Sequence, residues 1–205
     1  MKLKVCGLSN SIEIETCVEN GVDYCGFILN YPKSHRHISL DQAKELTSIN
    51  KLNTKFVGVL VNPSDKELEK YSKLHLDYFQ LYGNYNNEQL IDIKKKFNKK
   101  IITALTIKKK DDVEKYKKIE NGSDIILWDS SGYAESLSWD YRWIENISIE
   151  AKKMWAGNIT IDKLSNLSAI TDAIDVSGAL ETNKVKDIIK IKNFITEVKK
   201  IHYEN

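Results

Sequence analysis

The sequence predicts an α/β chain, a single (β/α)8 barrel domain spanning residues 1–205. Two observations carry this. Short runs rich in Val, Ile, Leu, Phe and Tyr alternate with stretches of helical apolar spacing, and eight such pairs fit the 205 residues. The short runs are also apolar on both faces, which is the pattern of parallel strands covered by helices rather than of a sheet with one wet side. A doubly wound open sheet is the alternative allowed by the same pattern.

Taken in order, the strands are "LKVCG" (3–7), "YCGFIL" (24–29), "KFVGVLV" (55–61), "YFQLY" (78–82), "KIITALT" (100–106), "IILWD" (125–129), "KKMWAG" (152–157) and "AIDVSG" (173–178). Helices are expected at 10–20, 40–49, 64–75, 86–97, 110–119, 139–146, 160–169 and 184–201. Ser39 is a cap before "LDQAKEL", and Ser64 with Glu67 makes a capping box in "PSDKELEKY". The only prolines, Pro32 and Pro63, follow predicted strands, where they remove no ladder donor. No repeat at the level of sequence identity, low-complexity tract or linker divides the chain.

A formal net charge of +2 with 29% charged residues gives no electrostatic reason to expect nucleic acid or an anionic membrane as partner. The lysine runs "KKKFNKK" (94–100) and "IKKKDD" (107–112) read as solvated helix ends. No apolar stretch has the length of a signal peptide or a membrane span, so a soluble cytoplasmic protein is expected. Cys6, Cys17 and Cys25 lie in the first 25 residues without CxxC spacing, and an odd number suits free thiols in a reducing compartment. A monomer is the default, with a homodimer possible.

Chemistry in such a barrel is built at the C-terminal ends of the strands. The first strand ends at Cys6 and the sixth at Asp129, so a thiol and a carboxyl from nonadjacent strands can face one pocket as base and acid. The plainer readings are a small buried hydrophobe for Cys6 and a turn residue for Asp129. The loop "NYPKSHRHIS" (30–39) carries Arg36, one of two arginines in a chain that otherwise uses lysine, and its planar fork suits a carboxylate or phosphate. His35 and His37 flank it, but no third ligand at a strand end matches them, and no metal is expected. The last two strands end in "AGN" (156–158) and "VSGA" (176–179), where barrels often hold phosphate.

These pieces, in this order, resemble the phosphoribosylanthranilate isomerase family of tryptophan biosynthesis over essentially the whole chain. "KVCGLS" matches K-[IV]-C-G-[IL], and "GFILNYPKSHRHIS" matches G-F-[IV]-x…[YP]-x-S-x-R. "FVGVLVN", "FQLYG", "WDSS" and "DVSGALE" with "VKD" follow V-G-V-F-V-N, V-Q-L-H-G, L-D-S and D-[VL]-S-S-G-V-E…K-D. The resemblance implies a cofactor-free Amadori rearrangement of a small phosphorylated substrate, with Asp129 as general acid and Cys6 as general base. It further implies that Arg36 binds the anthranilate carboxylate and that Gly157, Asn158, Ser177 and Gly178 hold the phosphate. Trp128, next to Asp129, could raise the carboxyl's pKa, although neighbours on a strand face opposite ways.

The chain departs from the family pattern in four places. "SGYAESLSW" (131–139) keeps Gly132 and Trp139 but has Tyr133, Ala134 and Glu135 where small or basic residues stand in the family. Tyr82 replaces a histidine, Asn158 a glycine, and S-G-A stands for S-S-G. These differences keep two other readings open: an isomerase of the same lineage acting on another phosphorylated amino sugar, and a noncatalytic phosphometabolite-binding protein.

Overall fold

A computed structural model describes residues 1–130 and 139–204, and of 202–204 the backbone only. Eight parallel strands close in sequence order into a barrel: β1 (Lys2–Cys6), β2 (Tyr24–Ile28), β3 (Lys55–Val61), β4 (Tyr78–Tyr82), β5 (Lys100–Thr106), β6 (Ile125–Asp129), β7 (Lys152–Ala156) and β8 (Ala173–Val176). β8 pairs with β1, with Lys4 opposite Asp175, and this closure excludes the open sheet.

Alternation along each strand splits the apolar residues into two cores. Tyr24, Val57, Val59, Tyr78, Ile102, Leu127 and Met154 fill the barrel. Their strand neighbours, among them Phe27, Phe56, Leu60, Phe79, Ile126 and Trp155, point outward under the helices.

Helices α1 (Ser11–Glu19), α2 (Leu40–Thr47), α3 (Asp65–Ser72) and α4 (Asn87–Phe97) follow the first four strands. Each has a side-chain cap, from Asn10, Ser39, Ser64 and Asn86, and the last three form full capping boxes with Gln42, Glu67 and Gln89.

The second half is less regular than its apolar spacing implies. The helix expected at 110–119 is a 3-10 segment, Lys110–Lys118, and that at 139–146 is one 3-10 turn, Tyr141–Ile144. The one at 160–169 divides into a 3-10 turn and α5 (Leu164–Ser168). The last helix, α6 (Ile188–Glu204), begins later than position 184 because β9 (Glu181–Thr182) and β10 (Val185–Lys186) form a hairpin. Its two turn residues, Asn183 and Lys184, have φ of 52° and 64°, as a two-residue turn of this kind requires.

At the N-terminal end of the barrel one device occurs four times. Asp23, Asp77, Asp124 and Asp172 each stand immediately before an even-numbered strand. Their carboxylates accept the backbone N–H of Leu3, Phe56, Ile101 and Lys153, the second residue of the preceding odd strand, at 2.7–2.9 Å. Their main-chain N–H groups return the bond to the same four residues' carbonyls. The odd strands begin with Lys2, Lys55, Lys100 and Lys152, so a K…D pattern recurs where overall identity has no repeat. This end fixes register and leaves the opposite end for chemistry.

Candidate active site

At the C-terminal ends of the strands lies a pocket of about 420 Å³, within the usual range for small-molecule sites. Cys6, Arg36, Asp129, Gly157, Asn158, Ser177 and Gly178 all line it. The expected site residues are therefore brought together, although they come from five separate stretches of chain. The loop stretch 131–138, including Gly132, Tyr133, Ala134 and Glu135, lies outside the described residues.

Cys6 faces inward because it ends β1 two residues after Lys4, and residues two apart on a strand share a face. Lys4 is wholly buried, and its Nζ donates to Asp175 Oδ2 at 2.7 Å. Burial alone would push the Lys4 ammonium down, but the Asp175 carboxylate, with Cys6 adding to it, holds it above its ordinary value. Burial pushes the Cys6 thiol up, and the Lys4 cation opposes that rise. Ser177 Oγ donates to the Cys6 carbonyl at 2.9 Å, tying the β8 loop to the end of β1.

Asp129 ends β6 on the barrel side, and its Oδ2 accepts a 2.7 Å hydrogen bond from the Tyr82 hydroxyl. Gln80 Nε2 donates to the same hydroxyl at 3.3 Å. Trp128 does not shape the surroundings of this carboxyl. Strand alternation turns its ring outward against Tyr116, with Nε1 donating to the Val113 carbonyl. The neighbour that matters is Tyr82, whose phenol is raised well above its usual value by burial and by Asp129, so it remains a donor.

Arg36 is not isolated. Its Nε donates to Glu181 Oε1 at 2.5 Å and its Nη2 to Oε2 at 3.0 Å, a bidentate clamp. Lys186 Nζ donates to Glu181 at 2.6 Å and to the Ser177 carbonyl and hydroxyl at 3.2 Å. Burial would raise Glu181, but Arg36 and Lys186 hold it down at about 2. Arg36 Nη1 has no partner among the described residues. His35 Nε2 also lies 3.2 Å from Glu181 Oε2.

On the rim, Gly157 and Asn158 have φ of 115° and 43°, so the chain turns sharply over the pocket after β7. Gly178 opens a short 3-10 turn after β8. Trp139 Nε1 donates to the Ala156 carbonyl at 2.9 Å, and its ring packs on Trp155.

Lys4, Gln80, Asp175, Glu181 and Lys186 are site residues that the strand-end reading does not single out. The signal for the first and third is a charge inside an apolar strand: "KLKVC" and "AIDV" put opposite charges on inward positions of β1 and β8, which barrel closure makes neighbours.

Comparison with known proteins identifies relatives of the whole chain. Residues 3–197 match the family model described as N-(5'phosphoribosyl)anthranilate (PRA) isomerase. An N-(5'-phosphoribosyl)anthranilate isomerase of Streptococcus mutans is 34% identical over 202 residues, 97% of this chain and 99% of that protein. One from Thermoanaerobacter pseudethanolicus is 31% identical over 206 residues, covering 98% and 99%. Among solved structures, phosphoribosyl anthranilate isomerase from Thermotoga maritima superposes with a TM-score of 0.81 at 27% identity, covering 98% and 99% of the two chains. Another, solved with reduced 1-(o-carboxyphenylamino)-1-deoxyribulose 5-phosphate, gives 0.76 at 26% identity and the same coverage. The chain belongs to the N-(5'-phosphoribosyl)anthranilate isomerase family.

Proposed function

We propose that Asp129 and Cys6 make the two proton transfers of this chain's reaction, the isomerisation of N-(5-phosphoribosyl)anthranilate to 1-(2-carboxyphenylamino)-1-deoxyribulose 5-phosphate in tryptophan biosynthesis. The observation that carries this assignment is that a thiol from β1 and a carboxyl from β6 line one pocket whose rim also holds Arg36 and the loops after β7 and β8.

Asp129 protonates the furanose ring oxygen. The bond from that oxygen to C1′ breaks, and the anthranilate nitrogen's lone pair forms the C1′=N iminium. The Tyr82 donor stabilises the carboxylate left behind. Cys6, as thiolate, then takes the C2′ proton, and the C–H electrons move into C1′=C2′ to neutralise the iminium. Tautomerisation of this enolamine to the ketone completes the Amadori rearrangement. The electron sink is the substrate's own iminium.

Arg36 binds the anthranilate carboxylate. Two of its nitrogens are committed to Glu181, which fixes the guanidinium plane and leaves Nη1 for the ligand. Arg36 and Lys186 against one Glu181 carboxylate leave a surplus positive charge at the end of the pocket where an anion has to sit. The phosphate lies against the backbone of Gly157, Asn158, Ser177 and Gly178, the rim after β7 and β8.

The residues of this assignment line one pocket of one barrel, which is compatible with a monomer and with a homodimer. Three free thiols, one of which must stay reduced to act as base, suit the cytoplasm. No helix among the described residues is long and apolar enough to cross a membrane. The test is a fluorescence assay of phosphoribosylanthranilate consumption. Cys6→Ala and Asp129→Asn should each abolish nearly all turnover while circular dichroism is unchanged, and full activity in both would overturn the assignment.

A further inference from the structure

We propose that Lys4 is the positioning residue for Cys6: its ammonium, anchored by Asp175, is the fixed cation beside Cys6 Sγ that makes the thiolate available as base. The proposal rests on Cys6 being the base.

The geometry comes first. Lys4 and Cys6 project from β1 to the inside of the barrel, and both come against Gly26 on β2. A methyl group built on Gly26 would sit 2.9 Å from Cys6 Sγ and 3.1 Å from Lys4 Nζ, so sulfur and ammonium lean on the same bare Cα. A side chain at position 26 would displace one of them.

An ammonium with no solvent exposure is costly to bury, and an apolar pair of similar volume in its place is often neutral or stabilising. Nor is the pair with Asp175 saturated. Lys4 takes Oδ2, while Asp175 Oδ1 is buried and has no hydrogen-bond partner among the described residues.

Several charged or titratable groups face Cys6. They are Lys4 on its own strand, Asp175 on β8, Lys186 on β10, Arg36 in the loop after β2 and Tyr82 on β4, while Cys25 on β2 is turned to the outer core beside Cys17. Burial and Asp175 disfavour the thiolate, and Lys4 is the strongest influence in the other direction, ahead of Lys186. Glu181 engages both Arg36 and Lys186, and Ser177 also holds Lys186. Lys4 keeps its own proton throughout the cycle. Only the thiolate changes state, becoming a thiol when it accepts the C2′ proton.

The test compares Lys4→Met with the double variant Lys4→Met/Asp175→Asn, which leaves no unpaired charge in the barrel should the single variant fail to fold. The first readout is the pH dependence of iodoacetamide alkylation at Cys6, followed on the peptide that carries it. The midpoint should rise by about one pH unit or more in Lys4→Met, and by less in the double variant, where loss of the Asp175 carboxylate offsets part of the loss of the cation. The second readout is kcat/KM, which should fall by about tenfold at pH 7 and recover as the pH is raised. An unchanged alkylation midpoint in folded Lys4→Met would overturn the proposal; should that variant not fold, a midpoint in the double variant no higher than in Asp175→Asn alone would do so. The alkylation readout does not depend on turnover, so it stays separate from the assignment of the base. If Cys6→Ala retained activity, Cys6 would not be the base, yet the effect of Lys4 on its thiol would still be measured.

Discussion

The Tyr82 hydroxyl donates a 2.7 Å hydrogen bond to Asp129 Oδ2, joining β4 to β6 across the barrel mouth. Where the family pattern reads Q-L-H-G, this chain reads "QLYG", so a phenol occupies the position of an imidazole. Both can donate one hydrogen bond, and the phenol, buried and raised well above its usual value, donates throughout the working pH range.

That bond acts on the carboxyl as it gives up its proton. A hydrogen bond to a charged group contributes about 1.5–3 kcal/mol, and each ~1.4 kcal/mol is tenfold in rate, so Tyr82→Phe should lower kcat by roughly tenfold or more. A general acid loses activity as pH rises through its pKa, and a carboxylate deprived of a donor holds its proton more tightly. The alkaline limb of the kcat profile should therefore move to higher pH in Tyr82→Phe, while Tyr82→His retains most of the rate. An unmoved limb together with an unchanged kcat would show that the bond is structural only.

Glu181 holds Arg36 and Lys186 from a single carboxylate, and its pKa is depressed from 4.5 to about 2 by those two cations against the opposing effect of burial. A carboxyl with a depressed folded-state pKa stabilises the fold fully above its unfolded value and loses that contribution as pH falls through the folded one. The stability gap between the wild type and Glu181→Gln should thus be complete at pH 7 and shrink between about pH 4.5 and about 2. Urea unfolding at a series of pH values measures it, and a gap that stays constant over that window would contradict the electrostatic account. At pH 7 the same variant should raise KM more than it lowers kcat, because Arg36 loses the clamp that orients it toward the substrate carboxylate.

The barrel was legible because its parallel strands are apolar on both faces and bounded by polar caps: "KFVGVLV" and "YFQLY" fold over the residues that the pattern marks. Helix boundaries were legible where a capping box marks them, as at Ser64 and Glu67. The start of the last helix was not. The β9–β10 turn uses Asn183-Lys184, and a lysine at positive φ gives none of the signal that a glycine would. Cys6, Asp129 and Arg36 could be placed because strand ends and the loops after them are where this fold does chemistry. The partners Lys4, Asp175 and Glu181 depend on closure of β8 onto β1 and on the return of the β9 hairpin over the loop after β2, which are relationships across most of the chain's length. A charge inside an apolar strand marks Lys4 and Asp175 as unusual, but which residue each one meets is set by closure of the barrel.

The four aspartates at the N-terminal end lie on the face opposite the pocket, so their loss should cost stability without cost to catalysis. Asp77 is the most connected of them. Its Oδ2 accepts from the Phe56 N–H at 2.8 Å and from Lys51 Nζ at 2.5 Å, and its main-chain carbonyl accepts from the Lys100 N–H at 3.1 Å. Only the side-chain contacts are lost on mutation. Asp77→Ala leaves the N–H of a fully buried residue without an acceptor, which costs about 1–3 kcal/mol. Asp77→Asn keeps an oxygen for that N–H and loses only the half-exposed pairing with Lys51 and Lys55, worth about 1 kcal/mol or less. The expected order of stability in urea is therefore wild type, then Asn, then Ala, with kcat and KM unchanged in all three. Equal losses in the two variants would show that the charge, rather than the backbone hydrogen bond, is what Asp77 contributes to the β3–β4 register.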